Sequence, residues 1–187
     1  GATIEGLPEG LVIAVNSLVI ESNSVAPEGT VALDWTTQVG SFDGAIFTAE
    51  AVEVGTTGNE QTIAFTQQLL KISGELELDA FGFVQATAAF EVINAIVDVD
   101  VNGDQKFNPV AQTGDLDDAN LFALGLTITD LFVGVPADDP DERLGLVLDS
   151  GTLTLVTIKA ADPTVDDRVF TSIYINTSIS SLCILYK

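Results

Sequence analysis

From Asp98 to Asn108 the chain reads Asp-Val-Asp-Val-Asn-Gly-Asp-Gln-Lys-Phe-Asn, with oxygen-bearing side chains at Asp98, Asp100, Asn102 and Asp104 around Gly103. Hard cations such as calcium take roughly six to eight oxygen ligands, and alternate side chains of a tight loop converge on one centre. The candidate calcium ligands are therefore Asp98, Asp100, Asn102, Asp104 and Asn108, with Asp115 placed to bring a further carboxylate from across the loop. Asp117 or Asp118 is an alternative source of that carboxylate, and an acidic hairpin loop without an ion is the competing reading.

Counted from Asp100, oxygens fall at relative positions 1, 3, 5 and 9 (Asp100, Asn102, Asp104, Asn108), with the apolar Phe107 at position 8. In this register the stretch resembles the calcium loop of dockerin-type repeats. It departs from that pattern at Gln105, where a turn glycine is usual, and at Ala111, where an acid would close the site. Counting from Asp98 instead puts Gly103 at position 6 but Pro109 at the closing position.

Other chemistries find little material. The chain has no His, which removes Ser-His-Asp and Cys-His nucleophiles, imidazole-bound zinc and the commonest general base. Its one thiol, Cys183, forms neither an internal disulfide nor a CxxC pair and is expected to be inert. Paired acids can serve glycoside hydrolysis, but nothing distinguishes such a pair among the 28. A non-enzymatic chain is the expectation. Trp35 and Tyr174 are the aromatics that a carbohydrate-binding β-sandwich would present, the alternative function. Asn176-Thr177-Ser178 fits a glycosylation acceptor, a pattern common by chance.

With 6 basic and 28 acidic side chains the formal charge is −22. Such a surface repels phosphate backbones and anionic lipid and attracts cations, so nucleic acid is not an expected partner. A solvated, aggregation-resistant surface is the other reading of that acidity. Apolar runs are short and interrupted, so no membrane insertion is expected. The absence of Met and of a charged-then-apolar leader suggests a piece of a longer chain.

Positioning the loop falls to segments that alternate apolar and polar residues: Leu11–Val15, Thr30–Trp35, Leu70–Leu78 and Thr152–Ile158. Period-two patterning predicts half-buried strands. Clusters such as Gly55-Thr56-Thr57-Gly58-Asn59 and Ala137-Asp138-Asp139-Pro140 read as the turns between them. Ala86 to Val97 has apolar residues at helical spacing but is assigned to strand. Asp115 before Leu116–Leu121 would cap a short helix, and that segment stays open. The expected fold is all-β, solenoid-like or an elongated β-sandwich, with residues 1–187 forming one domain.

Two weak echoes suggest repeated strand units: Gly44–Val54 against Gly82–Val92, and Ala137–Leu144 against Ala161–Val169. In the second pair each acidic turn closes on an Arg, and Arg143 and Arg168 are expected to form exposed, weak ion pairs. The run Ser73-Gly74-Glu75-Leu76-Glu77-Leu78-Asp79-Ala80-Phe81-Gly82-Phe83-Val84, with Leu131–Val135, resembles repeat units of very large, acidic bacterial surface or secreted proteins of the RTX-adhesin sort. That resemblance implies a secreted or cell-surface location, calcium dependence, a structural or adhesive role, and neighbouring repeats or surface glycans as partners. The glycine-rich nonapeptide calcium repeats of that group are absent, so calcium rests on the Asp98 to Asn108 loop.

Overall fold

The structure, a computed structural model, describes residues 2–3, 6–25, 31–135 and 144–183, with side chains from 6 to 178. Eleven strands account for the regular structure, and no helix occurs among the described residues. The all-β expectation holds. The main sheet has seven strands in the order β1 (Ala2–Thr3), β2 (Leu11–Asn23), β7 (Leu69–Ala80), β8 (Val84–Val99), β9 (Leu116–Val135), β10 (Leu144–Lys159) and β11 (Val169–Cys183). All its neighbours are antiparallel, so from β7 onward it is a meander. The segment between β2 and β7 holds two small sheets, β3 (Gly40–Asp43) with β4 (Ile46–Ala49) and β5 (Val52–Val54) with β6 (Gln61–Ile63). The layout is sandwich-like, one large sheet accompanied by small ones, and it is not a closed barrel.

Alternation sorts the main sheet into two unlike faces, because directly paired antiparallel residues point to the same side. One face carries the rows Leu18–Gly74–Phe90–Leu126–Leu153–Ile175 and Ile20–Ile72–Val92–Leu124–Leu155–Ile173, each crossing all six long strands. Two further rows, Ile13–Leu78–Ala86–Leu131–Leu148 and Leu11–Ala80–Val84–Val133–Leu146, extend it across β2 to β10. The opposite face carries Lys71, Glu75, Glu77, Asp79 and Glu91. Lys71 bridges Glu91 at 2.9 Å and Glu21 at 3.7 Å, two mostly solvated contacts.

Four long strands carry one residue too many for strict alternation. Besides Ser180 near the end of β11, the register skips Asn16 in β2, Thr129 in β9 and Asp149 in β10, three β-bulges beside the row Val15–Leu76–Ala88–Ile128–Gly151–Thr177. Each sits where the sequence places two polar residues between apolar ones: Val15-Asn16-Ser17-Leu18, Ile128-Thr129-Asp130-Leu131 and Leu148-Asp149-Ser150-Gly151. A bulge absorbs one residue and resets the pleat, so apolar side chains return to the same face on both sides of it. At Gly74, next to the β2 bulge, a Cβ would run into the Ser17 carbonyl, which explains a glycine inside an otherwise aliphatic row.

One buried cluster sits at one end of the sheet, and Ala88, Phe132 and Leu148 are buried elsewhere along it. Leu116, Ala119 and Ala160 form the buried cluster, with Val97, Val99 and Ile158 packed against it. Among the described residues no large side chain is fully buried, and the aliphatic face is exposed along its edge strands: Leu18, Ile20, Ile173 and Ile175 are 55%, 61%, 62% and 66% exposed.

Three sequence expectations are revised. Thr30–Trp35 is not a strand over its described residues. It is irregular chain held by single contacts, Trp35 N to the Phe65 carbonyl at 2.8 Å and Asn23 Nδ2 to the Leu33 carbonyl at 3.0 Å. Val31 is 90% exposed, because alternation there has no partner strand against which to bury a face. The Gly44–Val54 and Gly82–Val92 echo occupies unlike places, a surface hairpin region and the long β8. Of the second echo, 137–143 lies outside the described residues. Arg168 is not in an exposed pair. Its guanidinium chelates Asp166, which is 7% exposed, with Nη2 to Oδ2 at 2.6 Å and Nε to Oδ1 at 2.9 Å. The turn bearing that pair packs against the 110–114 turn, which the linear sequence does not show.

Candidate cation site at the bulge between β8 and β9

Strand β8 runs out at Val99 and β9 begins at Leu116, so residues 100–115 form a connecting loop. Its side-chain oxygens turn inward onto its own backbone. Asp100 accepts from Gly103 N and Gln105 N, both at 2.7 Å, Asn102 accepts from Asp104 N at 2.8 Å, and Asp104 accepts from Lys106 N at 2.8 Å. Charged acceptors of backbone N–H groups make the stronger class of hydrogen bond and fix a tight loop. Gln105 stands at φ +62°, the left-handed conformation in which the dockerin pattern places glycine.

Asp115 is buried, at 2% exposure, and clasps the loop: Oδ1 accepts from Val101 N at 2.9 Å and Oδ2 from Asn108 N at 2.7 Å. The Asn108 carbonyl accepts from Asp115 N at 3.1 Å. Both ends of the loop are thus tied to one carboxylate.

A second clasp joins the loop to the turn after β10. Asp166 accepts from Gln112 N at 2.9 Å while Arg168 Nη1 donates to the Gly114 carbonyl at 2.9 Å. The Arg168 guanidinium, with help from the Gln112 amide, holds the Asp166 carboxyl far below the usual carboxylate range. Asp162 opens the same turn, accepting from Thr164 N at 2.8 Å and Thr164 Oγ1 at 2.6 Å, and these bonds lower its pKa as well.

The carboxylates that the structure gathers differ from the sequence-predicted set. Val97 pairs with Ala119 and Val99 with Leu116, so the single residue Asp98 faces the two residues Asp117 and Asp118 across another β-bulge. Asp118 takes φ +51°, which Asp tolerates better than most residues, and its N–H donates to Asp98 Oδ1 at 3.1 Å. Ligand oxygens of Asp98, Asp117 and Asp118 lie within 4.8 Å of one another, all on exposed residues. Of the predicted ligands, then, Asp98 joins this triad. Asp100, Asn102 and Asp104 accept loop amides, Asp115 is the buried clasp, and Asn108 takes part through its backbone. Local spacing marks Asp117 and Asp118 only as spare acids, because their place depends on a strand register that it does not encode.

Three hard oxygen donors suit a hard divalent cation, which commonly keeps waters in its remaining positions. A groove beside the triad is lined by Val31, Ala32, Gln67, Ile96, Asp98 and Asp118.

Compared with known proteins, the chain matches no family model, no curated protein and no solved structure. Among the described residues no helix is long and apolar enough to cross a membrane.

Proposed function

We propose that this chain is a non-catalytic structural or adhesive module of a secreted or cell-surface protein, stiffened by calcium. One observation carries the reading: the bulge between β8 and β9 forces three carboxylates together, with oxygens within 4.8 Å of one another. Like charges that close repel, and a bound divalent cation turns the repulsion into attraction. The site joins two adjacent long strands at the root of the 100–115 loop, so an ion there would hold that end of the sheet together. Neighbouring repeats or surface glycans are the partners such a module would meet.

A carbohydrate-binding role keeps one of its two aromatics: Tyr174 is 58% exposed, whereas Trp35 is half-buried and its indole N–H donates to Asn23 Oδ1 at 3.0 Å, which commits it to the fold.

Thermal melting in millimolar calcium and in chelator tests the proposal. At about 100 times its dissociation constant, an ion that binds only the folded state adds about 2.7 kcal/mol, a rise of several degrees in Tm. The Asp98→Asn/Asp118→Asn variant should lose that rise. Coincident wild-type curves would refute the calcium assignment, and an equal rise with magnesium would reassign the ion.

A further inference from the structure

We propose that the aliphatic face of the main sheet is a homodimer interface, two copies of the chain packing face to face. This inference does not depend on the cation site.

The central row Leu18–Gly74–Phe90–Leu126–Leu153–Ile175 and the rows on either side of it carry no ionisable side chain. In a chain of net charge −22 with 28 acids, that segregation is a sorted surface, since the polar face takes Glu75, Glu77, Asp79 and Glu91. The edge strands of the aliphatic face stand more than half exposed, Leu18 at 55% and Ile175 at 66%, while Ala88 and Leu148 within it are buried.

The area is sufficient for a stable pair. Six strands at about 4.8 Å spacing, with rows that span nine or ten residues at about 3.3 Å each, give a footprint on the order of 900 Å² per copy. Standard interfaces bury about 800 Å² per partner, and obligate homodimers run larger and more apolar. Two copies also bring sheets of identical twist, which pack in aligned fashion at an angle of about 30° without further adjustment. Face-to-face packing of these rows leaves the acids of the opposite faces in water.

A lipid surface is the other apolar occupant, and two features disfavour it. The aromatic residues in the paired rows of this face are Phe90 and Phe122, too few for the aromatic girdles that flank lipid-facing sheets. A charge of −22 also opposes approach to an anionic bilayer.

Sedimentation equilibrium on the full chain, with and without phosphatidylcholine vesicles, tests the proposal. The expected species at about 100 μM is a dimer of the 19.6 kDa chain, tighter at high salt because screening weakens repulsion between acidic copies. The row variant Leu18→Lys/Leu126→Lys/Ile175→Lys should raise the dissociation constant by at least about 100-fold, since it sets like charges in an apolar interface. The control Val19→Lys/Tyr174→Lys places its charges on the opposite face and should leave the dimer intact. Should the triple variant fail to keep its far-UV spectrum, Leu18→Lys/Ile175→Lys alters only exposed side chains and still breaks the interface. A wild-type monomer at that concentration, capture by the vesicles, or equal loss of dimer in the control would each overturn the proposal.

Discussion

At the scale of single residues, three buried polar groups, Asn23, Asp115 and Asp166, hold irregular chain in place. Asn23, 5% exposed at the end of β2, donates to the Leu33 carbonyl at 3.0 Å and the Gln67 carbonyl at 2.8 Å, and accepts from the Trp35 indole at 3.0 Å. Its amide therefore serves three partners from the segment that separates β2 from β7. Asn23→Ala should cost about 2 to 3 kcal/mol in urea unfolding, because two carbonyls and an indole N–H lose their partner at once. Asp166 makes the matching clasp at the far loop. Its folded pKa is depressed by Arg168, so its contribution is complete above the ordinary carboxylate pKa of 3.8 and fades as pH falls below it. The stability gap between wild type and Asp166→Asn should accordingly be widest near neutral pH and close in acid. A gap that stays constant down to pH about 2 would contradict this.

Elements extend the same logic through register. The alternating runs Leu11–Val15, Leu70–Leu78 and Thr152–Ile158 were legible as strands because period two is a local property, and each lies in a long strand of the main sheet. Alternation alone was misleading at Val31–Trp35, where no neighbouring strand exists to reward it. The bulges at Asn16, Thr129 and Asp149 leave a readable trace, two polar residues in a row between apolar ones, though only pairing reveals that they lie beside one cross-strand row. The site was half legible: oxygen-rich spacing marked the region around Asp100, but the triad of Asp98, Asp117 and Asp118 arises from a two-against-one register offset. Deleting Thr129 tests the role of the bulges. One part of β9 would then turn Leu131 and Val133 from the aliphatic to the polar face, so urea unfolding should shift by more than about 3 kcal/mol or lose cooperativity. A neutral deletion would mean that face sorting does not govern the fold.

For the molecule as a whole, the features form one picture: a sheet aliphatic on one side and, on the other, acidic along β7 and β8, closed at one end by loops and fastened there by carboxylates. The buried cluster of Leu116, Ala119 and Ala160 sits at that fastened end, beside the bulge that carries the triad. An ion bound there would act beside that cluster. Amide hydrogen exchange in calcium and in chelator measures this stiffening directly. Calcium should slow exchange by at least about tenfold at residues 96–119 and leave the hairpin of β3 and β4 unchanged. Equal exchange in the two conditions at residues 96–119 would contradict a cation-fastened sheet.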